Sequence, residues 1–162
     1  MRKKSNPKRR GEAAEAAFLA RATVLGFSIC VPWGESERYD CAIDSQPGFL
    51  RVQVKSATAC SRSRYVVKGG GNGQPYTAEE IDFLAAYVVL RNLWYVIPVE
   101  AFAPRAMLQF TPDDSSRDTF GKYREAWCLL DCARKARGWL DIPVRCRSRE
   151  LGSRCAVCPM RG

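Results

Sequence analysis

Histidine is missing altogether from the 162 residues, and with it go the commonest general base and the commonest transition-metal ligand. Ser-His triads, His-based nuclease motifs and Cys2His2 zinc fingers are thereby excluded. Long apolar runs are missing too: no stretch of about 18 apolar residues occurs, so no membrane partner is expected. The Ala-rich stretch behind the basic N-terminus is broken by Glu12 and Glu15, which argues against an export signal. A phosphate loop of the GxxxxGK[ST] type is also absent, so the glycine-rich GGGNGQP reads as a flexible connection. Acidic residues are in short supply, with 17 Asp and Glu against 26 Lys and Arg, a formal net charge of +9.

A basic excess of this size favours a polyanion through counterion release, and double-stranded DNA is the leading candidate. The chain is long enough and apolar enough for one folded domain without disulfide staples. Its eight cysteines are irregularly spaced and read as reduced thiols in a cytoplasm. Cys155 and Cys158 form a CxxC pair, which with Cys146 would need a fourth ligand such as Cys132 to hold zinc. Cys128 and Cys132 sit four apart and are expected to pack in the core.

The composition divides the chain into a basic arm over 1–10, a domain over 11–140 and an Arg- and Cys-rich tail over 141–162. The arm MRKKSNPKRR is expected to order only against a partner. From Gly11, GEAAEAAFLARATVLG predicts a helix with Glu in its first turn and Gly26 as its C-terminal cap. FSICV, RYDCAID, FLRVQVK and RYVVK predict strands. Thr77 and Glu80 form a capping-box pattern opening a short helix. The apolar runs LAAYVVL and LWYVIPV predict the middle of the sheet. FGKYREAWCLLDCARKARG predicts a helix covering one of its faces.

RYDCAID and FLRVQVK are joined by SQPG. If Asp44 and Phe49 close that hairpin, residues whose numbers sum to about 93 face one another, by the antiparallel rule, and Asp40 faces Gln53. Alternation along the second strand puts Arg51, Gln53 and Lys55 on one face and Val52 and Val54 on the other. Hydrolysis of a phosphodiester needs a Lewis acid to neutralise charge on the phosphate and to make water nucleophilic. The Asp40 carboxylate, the Gln53 side-chain carbonyl, the Val54 backbone carbonyl and Glu15 on the first helix supply hard oxygens for Mg²⁺, with Lys55 beside the water. Spacing alone does not distinguish this set from a solvated Asp, Gln and Lys on a half-exposed strand.

Motifs add to the spacing. GEAAE, YDCAID and FLRVQVKS together resemble the PD-(D/E)xK nuclease superfamily, which includes the archaeal Holliday-junction resolvases. PWGES, RYD, RVQVKS, YTAEEIDFLAAYV, WYVIPV and KYREAW are similar to the group within it that contains the cyanobacterial group I intron homing endonuclease, over roughly residues 8 to 130. The resemblance implies an α/β (α+β) fold of the restriction-endonuclease-like kind, a central mixed β-sheet flanked by helices. It implies Glu15, Asp40, Gln53 and Lys55 as catalytic residues, with Glu12 a lesser candidate for the helix position. Gln53 stands where a carboxylate is usual, and the lost charge implies one well-bound Mg²⁺, with Mn²⁺ as a substitute.

Around that site, Trp33, Glu35 and Arg38 are expected near the metal, where they could touch DNA, with packing under the PWGE turn as the alternative for Trp33. Arg38, Arg62, Arg64 and Lys68 are the candidate DNA-binding residues, with Tyr65 a candidate for stacking. The implied activity is a metal-dependent, homing-type DNA endonuclease working as a homodimer or tetramer, because one site cuts one strand. Alternatives are a structure-specific nuclease acting on branched DNA, a DNA-binding domain that the Gln has made inactive, and an RNA-processing nuclease on the same core.

Overall fold

The computed structural model describes residues 6–45, 48–59, 61 and 63–130. In chain order these form α1 (Pro7–Val24), β1 (Ser28–Cys30), β2 (Cys41–Asp44), β3 (Phe49–Ser56), β4 (Thr58–Ala59), β5 (Tyr65–Lys68), β6 (Gly70–Gly71), β7 (Gln74–Pro75), β8 (Phe83–Val88), β9 (Leu93–Pro98) and β10 (Met107–Phe110). The central sheet has the order β1-β2-β3-β8-β9. It is mixed, because β3 and β8 run parallel while the other pairs are antiparallel.

α1 begins earlier than its composition suggests. Asn6 is the N-cap, its side chain accepting from Lys8 N at 3.0 Å, and Pro7 takes the first helical position, where its missing N–H costs nothing. The end of the expected basic arm is therefore helical, and no acidic residue lies in the first turn. The other end is as read. Gly26 adopts φ +84 and donates to Thr23 O, while Phe27 N donates to Ala22 O, the paired bonds of a Schellman cap. Ala14, Phe18 and Ala22, spaced by four, are the buried face.

Adjacent residues of β9 show what covers the sheet. Trp94 meets Phe18 of α1 with ring centroids 5.6 Å apart, and Tyr95 stacks on Phe110 of β10 at 4.4 Å. Neighbours on a strand point to opposite faces. One face thus carries α1 and the other a three-stranded sheet of order β10-β5-β4. Among the described residues, the expected flank of helices is one helix and one small sheet. No helix among them is long and apolar enough to cross a membrane.

β8 is central, whereas β9 is at the edge. The open edge of β9 explains why the helix expected from Phe120 does not form there. Arg124 makes a β-bridge to Tyr95, and Glu125, at φ +49, donates its N–H to Trp94 O at 2.8 Å. The Glu125 carboxylate accepts from Trp94 N and from Trp127 Nε1, each at 2.7 Å. Pairing of exposed strand groups outweighs helix propensity here: a single 3-10 turn spans Gly121–Tyr123, and an α-helical turn opens only at Cys128. Thr77 and Glu80 make half of the expected box, Thr77 N donating to Glu80 Oε2 at 3.1 Å while Glu80 N donates to the Thr77 backbone carbonyl, and the segment forms a single turn rather than a helix. GGGNGQP is a hairpin, β6 with β7, turned at Asn72 (φ 52) and Gly73 (φ 78), rather than a flexible connection. Asn-Gly suits the two left-handed positions of such a turn.

Candidate active site

The β2–β3 hairpin has the register read from the sequence. Cys41 pairs with Val52, Ala42 with Arg51, Ile43 with Leu50 and Asp44 with Phe49, and the turn is closed by Ser45 N to Gly48 O at 2.9 Å. Asp40, one residue ahead of β2, continues the ladder by donating its N–H to Val52 O at 3.0 Å. Its Oδ2 accepts from Val54 N at 2.7 Å and from Gln53 Nε2. Gln53 is only 7% exposed, so its amide is held among polar partners within the fold. Nε2 also approaches the Val54 backbone carbonyl at 3.3 Å.

Two further charges complete the cluster. Burial raises the Glu15 carboxyl above its usual range, as does the Asp40 charge, and the Lys55 ammonium partly offsets both. Burial likewise raises the Asp40 carboxyl against the opposing pull of the Val54 N–H and of Lys55. Glu12 and Glu35 act more weakly on Glu15, in the same direction as Asp40. Structure therefore brings together α1, the lead-in to β2, and β3, as two carboxylates, one amide and one ammonium. Cys41 lies beside them but is 1% exposed, and burial, then the charges of Asp40 and Glu15, push its thiol up to about 12. It contributes no thiolate ligand or nucleophile near neutral pH.

Whether this cluster suits a divalent cation is decided by where its oxygens point. Asp40 Oδ2 and the Val54 carbonyl converge on one position, which the Gln53 amide nitrogen now fills with two N–H donors. A half-turn of the amide puts Oε1 in that place, and three oxygens then face one another with no proton between them. A cation stabilises such an arrangement, and carboxylate, amide and backbone oxygens are the donor set of Mg²⁺ or Ca²⁺ rather than of softer metals. The residues present fit a hard divalent ion. Among the described residues there is no group of three or more His, Cys, Asp and Glu side chains that could hold a metal ion, so amide and backbone oxygens would have to complete the ligand set.

Other expected residues fall differently. Arg38 is committed inside the protein, with Nη1 donating to Gly71 O at 2.8 Å and Nε lying 3.0 Å from Glu80 Oε1. This makes it a strut between the β2 lead-in and the 70–80 segment, not a free phosphate contact. Trp33 is 98% exposed, so it does not pack under its turn. Tyr65 is buried at 3% and presents no ring for a base to stack on. Arg64 and Lys68 are on the surface, and Arg64 Nε donates to Ser61 Oγ at 3.1 Å. Arg62 lies outside the described residues, as do Cys132, Cys146, Cys155 and Cys158. Cys128 is buried, as expected.

The reading of residues missed Arg51 and Tyr76. Arg51 donates from Nε to Asp82 Oδ2 at 3.1 Å and from Nη2 to Ala78 O at 2.7 Å, and from Nη1 to Glu79 O. It ties β3 to the segment that carries Tyr76, whose ring lies near both Arg38 and Lys55. The YTAEE motif was visible, but strand alternation says nothing of which loop returns to a given strand.

Comparison with known proteins shows the family and the fold. A family model described as PD-(D/E)XK endonuclease matches residues 5–130. The solved structure of a bacterial homing endonuclease, I-Ssp6803I, aligns at 30% sequence identity and a TM-score of 0.72, covering 84% of this chain and 100% of that one. No curated protein matches the chain.

Proposed function

Since the chain belongs to the PD-(D/E)XK endonuclease family, we propose that it hydrolyses DNA phosphodiester bonds in a divalent-metal-dependent reaction of the homing type, with Glu15, Asp40, Gln53 and Lys55 as its catalytic residues. The observation that carries this reading is the convergence of Asp40 Oδ2, the Gln53 amide and the Val54 carbonyl beside a lysine. The likeness to a bacterial homing endonuclease supports the narrower activity.

Asp40, Gln53 through Oε1, the Val54 carbonyl and Glu15 would hold Mg²⁺, with Mn²⁺ as a substitute. When bound, that ion neutralises charge building on the phosphate and lowers the pKa of water. The Val54 N–H holds Asp40 Oδ2 against β3 and so keeps the carboxylate beside the Gln53 amide and the Val54 carbonyl. Lys55, a hydrogen-bond donor on the same face of β3 as Gln53, orients the attacking water and stabilises negative charge on a non-bridging phosphate oxygen. Arg64 and Lys68 on the surface, and Arg62, would neutralise flanking phosphates.

A single site of this kind cuts one strand, so a double-strand break calls for two copies, and we take the working form to be a homodimer or tetramer. The test is incubation of the full chain with supercoiled plasmid and with a four-way junction, in Mg²⁺ and in EDTA. Mg²⁺-dependent nicking or linearisation of plasmid supports the homing reading, and preference for the junction favours structure-specific cleavage instead. DNA binding indifferent to Mg²⁺, with neither substrate cut, contradicts the enzyme.

A further inference from the structure

No hydrogen bond or ion pair among the described residues holds the Lys55 ammonium, although a catalytic cation has to be presented at a fixed place. Besides the charges of Glu15 and Asp40, felt at longer range, the structure offers it a ring: Lys55 Nζ lies over Tyr76, 5.7 Å from the ring centroid. That is within the range where an aromatic quadrupole attracts a cation. Tyr76 is 3% exposed, so the attraction is only weakly screened by water.

The ring is itself braced from both sides of the active-site hairpin. Arg38, two residues before Asp40, lies over the same ring at 5.0 Å and bonds to Gly71 O and Glu80. A side chain added at Gly71 would put its Cβ 3.1 Å from the Tyr76 hydroxyl and 3.2 Å from Arg38 Nη1, so both would have to give by a few tenths of an ångström. Arg51, two residues before Gln53, holds the carbonyls of Ala78 and Glu79 and the carboxylate of Asp82. Glu80 offsets the Arg38 charge, so the ring is not asked to serve two uncompensated cations.

We propose that Tyr76 is a positioning residue for the reaction: its ring face, fixed by Arg38, Gly71 and Arg51, holds the Lys55 ammonium in register with the scissile phosphate. The inference rests on the endonuclease reading above. It makes the YTAEE segment part of the catalytic apparatus rather than a connection between sheets.

The test varies the ring's electrostatics at nearly constant shape. Tyr76→Phe and mono-, di- and trifluorinated phenylalanine at the same position are compared for single-turnover cleavage at saturating Mg²⁺ and DNA. Tyr76→Phe should stay within about two-fold of the parent rate, and trifluorination should slow cleavage about ten-fold, in steps, with DNA affinity and melting temperature unchanged. A rate flat across the series, or one that falls only as melting temperature falls, overturns the proposal. A second readout does not need cleavage: the ε-methylene ¹H–¹³C resonance of Lys55, assigned with Lys55→Arg, should be shifted upfield by the ring and return to the ordinary lysine position in Tyr76→Leu. An unshifted resonance in the parent overturns the positioning role, and a shifted one in a chain that cuts no DNA overturns the endonuclease reading alone.

Discussion

Gln53 donates its side-chain amide to the Asp40 carboxylate across the β2–β3 ladder, placing an N–H where a metal-binding site would hold a cation. The two residues satisfy each other without metal, and in the proposed reaction they would become two ligands once the amide turns. Asp40 and Glu15 nevertheless have raised carboxyl pKa values in the fold, chiefly from burial. They cost stability when ionised, and a cation bound between them, as proposed, would return it.

Asp40→Asn should therefore raise the melting temperature in EDTA at neutral pH. The folded chain binds protons more tightly than the unfolded one at these groups, so stability falls as pH rises from the ordinary carboxylate values through the raised ones. Mg²⁺ should stabilise the parent at neutral pH and have less effect at acid pH or in Asp40→Asn. Thermal melts with and without Mg²⁺ at both pH values check the sign.

Lys55→Ala should lower the cleavage rate by about 10²–10⁴-fold, the usual worth of a positioned proton-transfer or charge-stabilising group, while DNA affinity changes by a few-fold at most. Equal losses in rate and affinity would make Lys55 an ordinary phosphate contact. Single-turnover kinetics and equilibrium binding in Ca²⁺ separate the two.

Gln53→Glu should tighten Mg²⁺ binding, since a carboxylate replaces a neutral oxygen at a partly desolvated site. In the absence of metal it should destabilise the chain, because Asp40 loses an N–H donor and gains a like charge. Calorimetric Mg²⁺ titration and melts in EDTA would show opposite signs for the two conditions.

Glu125→Ala should destabilise the fold by about 2–4 kcal/mol, because two N–H groups lose a charged acceptor. The donors are Trp94 N and Trp127 Nε1. Urea unfolding checks the size of the effect, and cleavage by the folded fraction should be unchanged.

The sequence was most legible where a strand's two-residue period and a fixed turn length left no freedom. Those two constraints give the pairing of Cys41 with Val52 and bring Asp40 up to Gln53. The resemblance to the PD-(D/E)xK nucleases identified the family and fold. Long-range choices were less legible. Glu125 abandons a helical pattern because β9 has an unpaired edge, which no local window contains. Arg38 looked like a phosphate ligand because its partners, Gly71 and Glu80, are more than thirty residues away. Asn6 and Pro7 did signal the earlier start of α1, as an N-cap followed by proline, but the surrounding basic residues suggested an unstructured arm.

The central claim is that DNA hydrolysis takes place at Asp40. The most direct measurement is the rate of Mg²⁺-dependent strand cleavage by the parent and by Asp40→Ala, on the same DNA and with binding measured in parallel. Cleavage by the parent, lost in EDTA and in Asp40→Ala while DNA binding is kept or tightened, is the predicted result. Cleavage by Asp40→Ala at the parent's rate would contradict it.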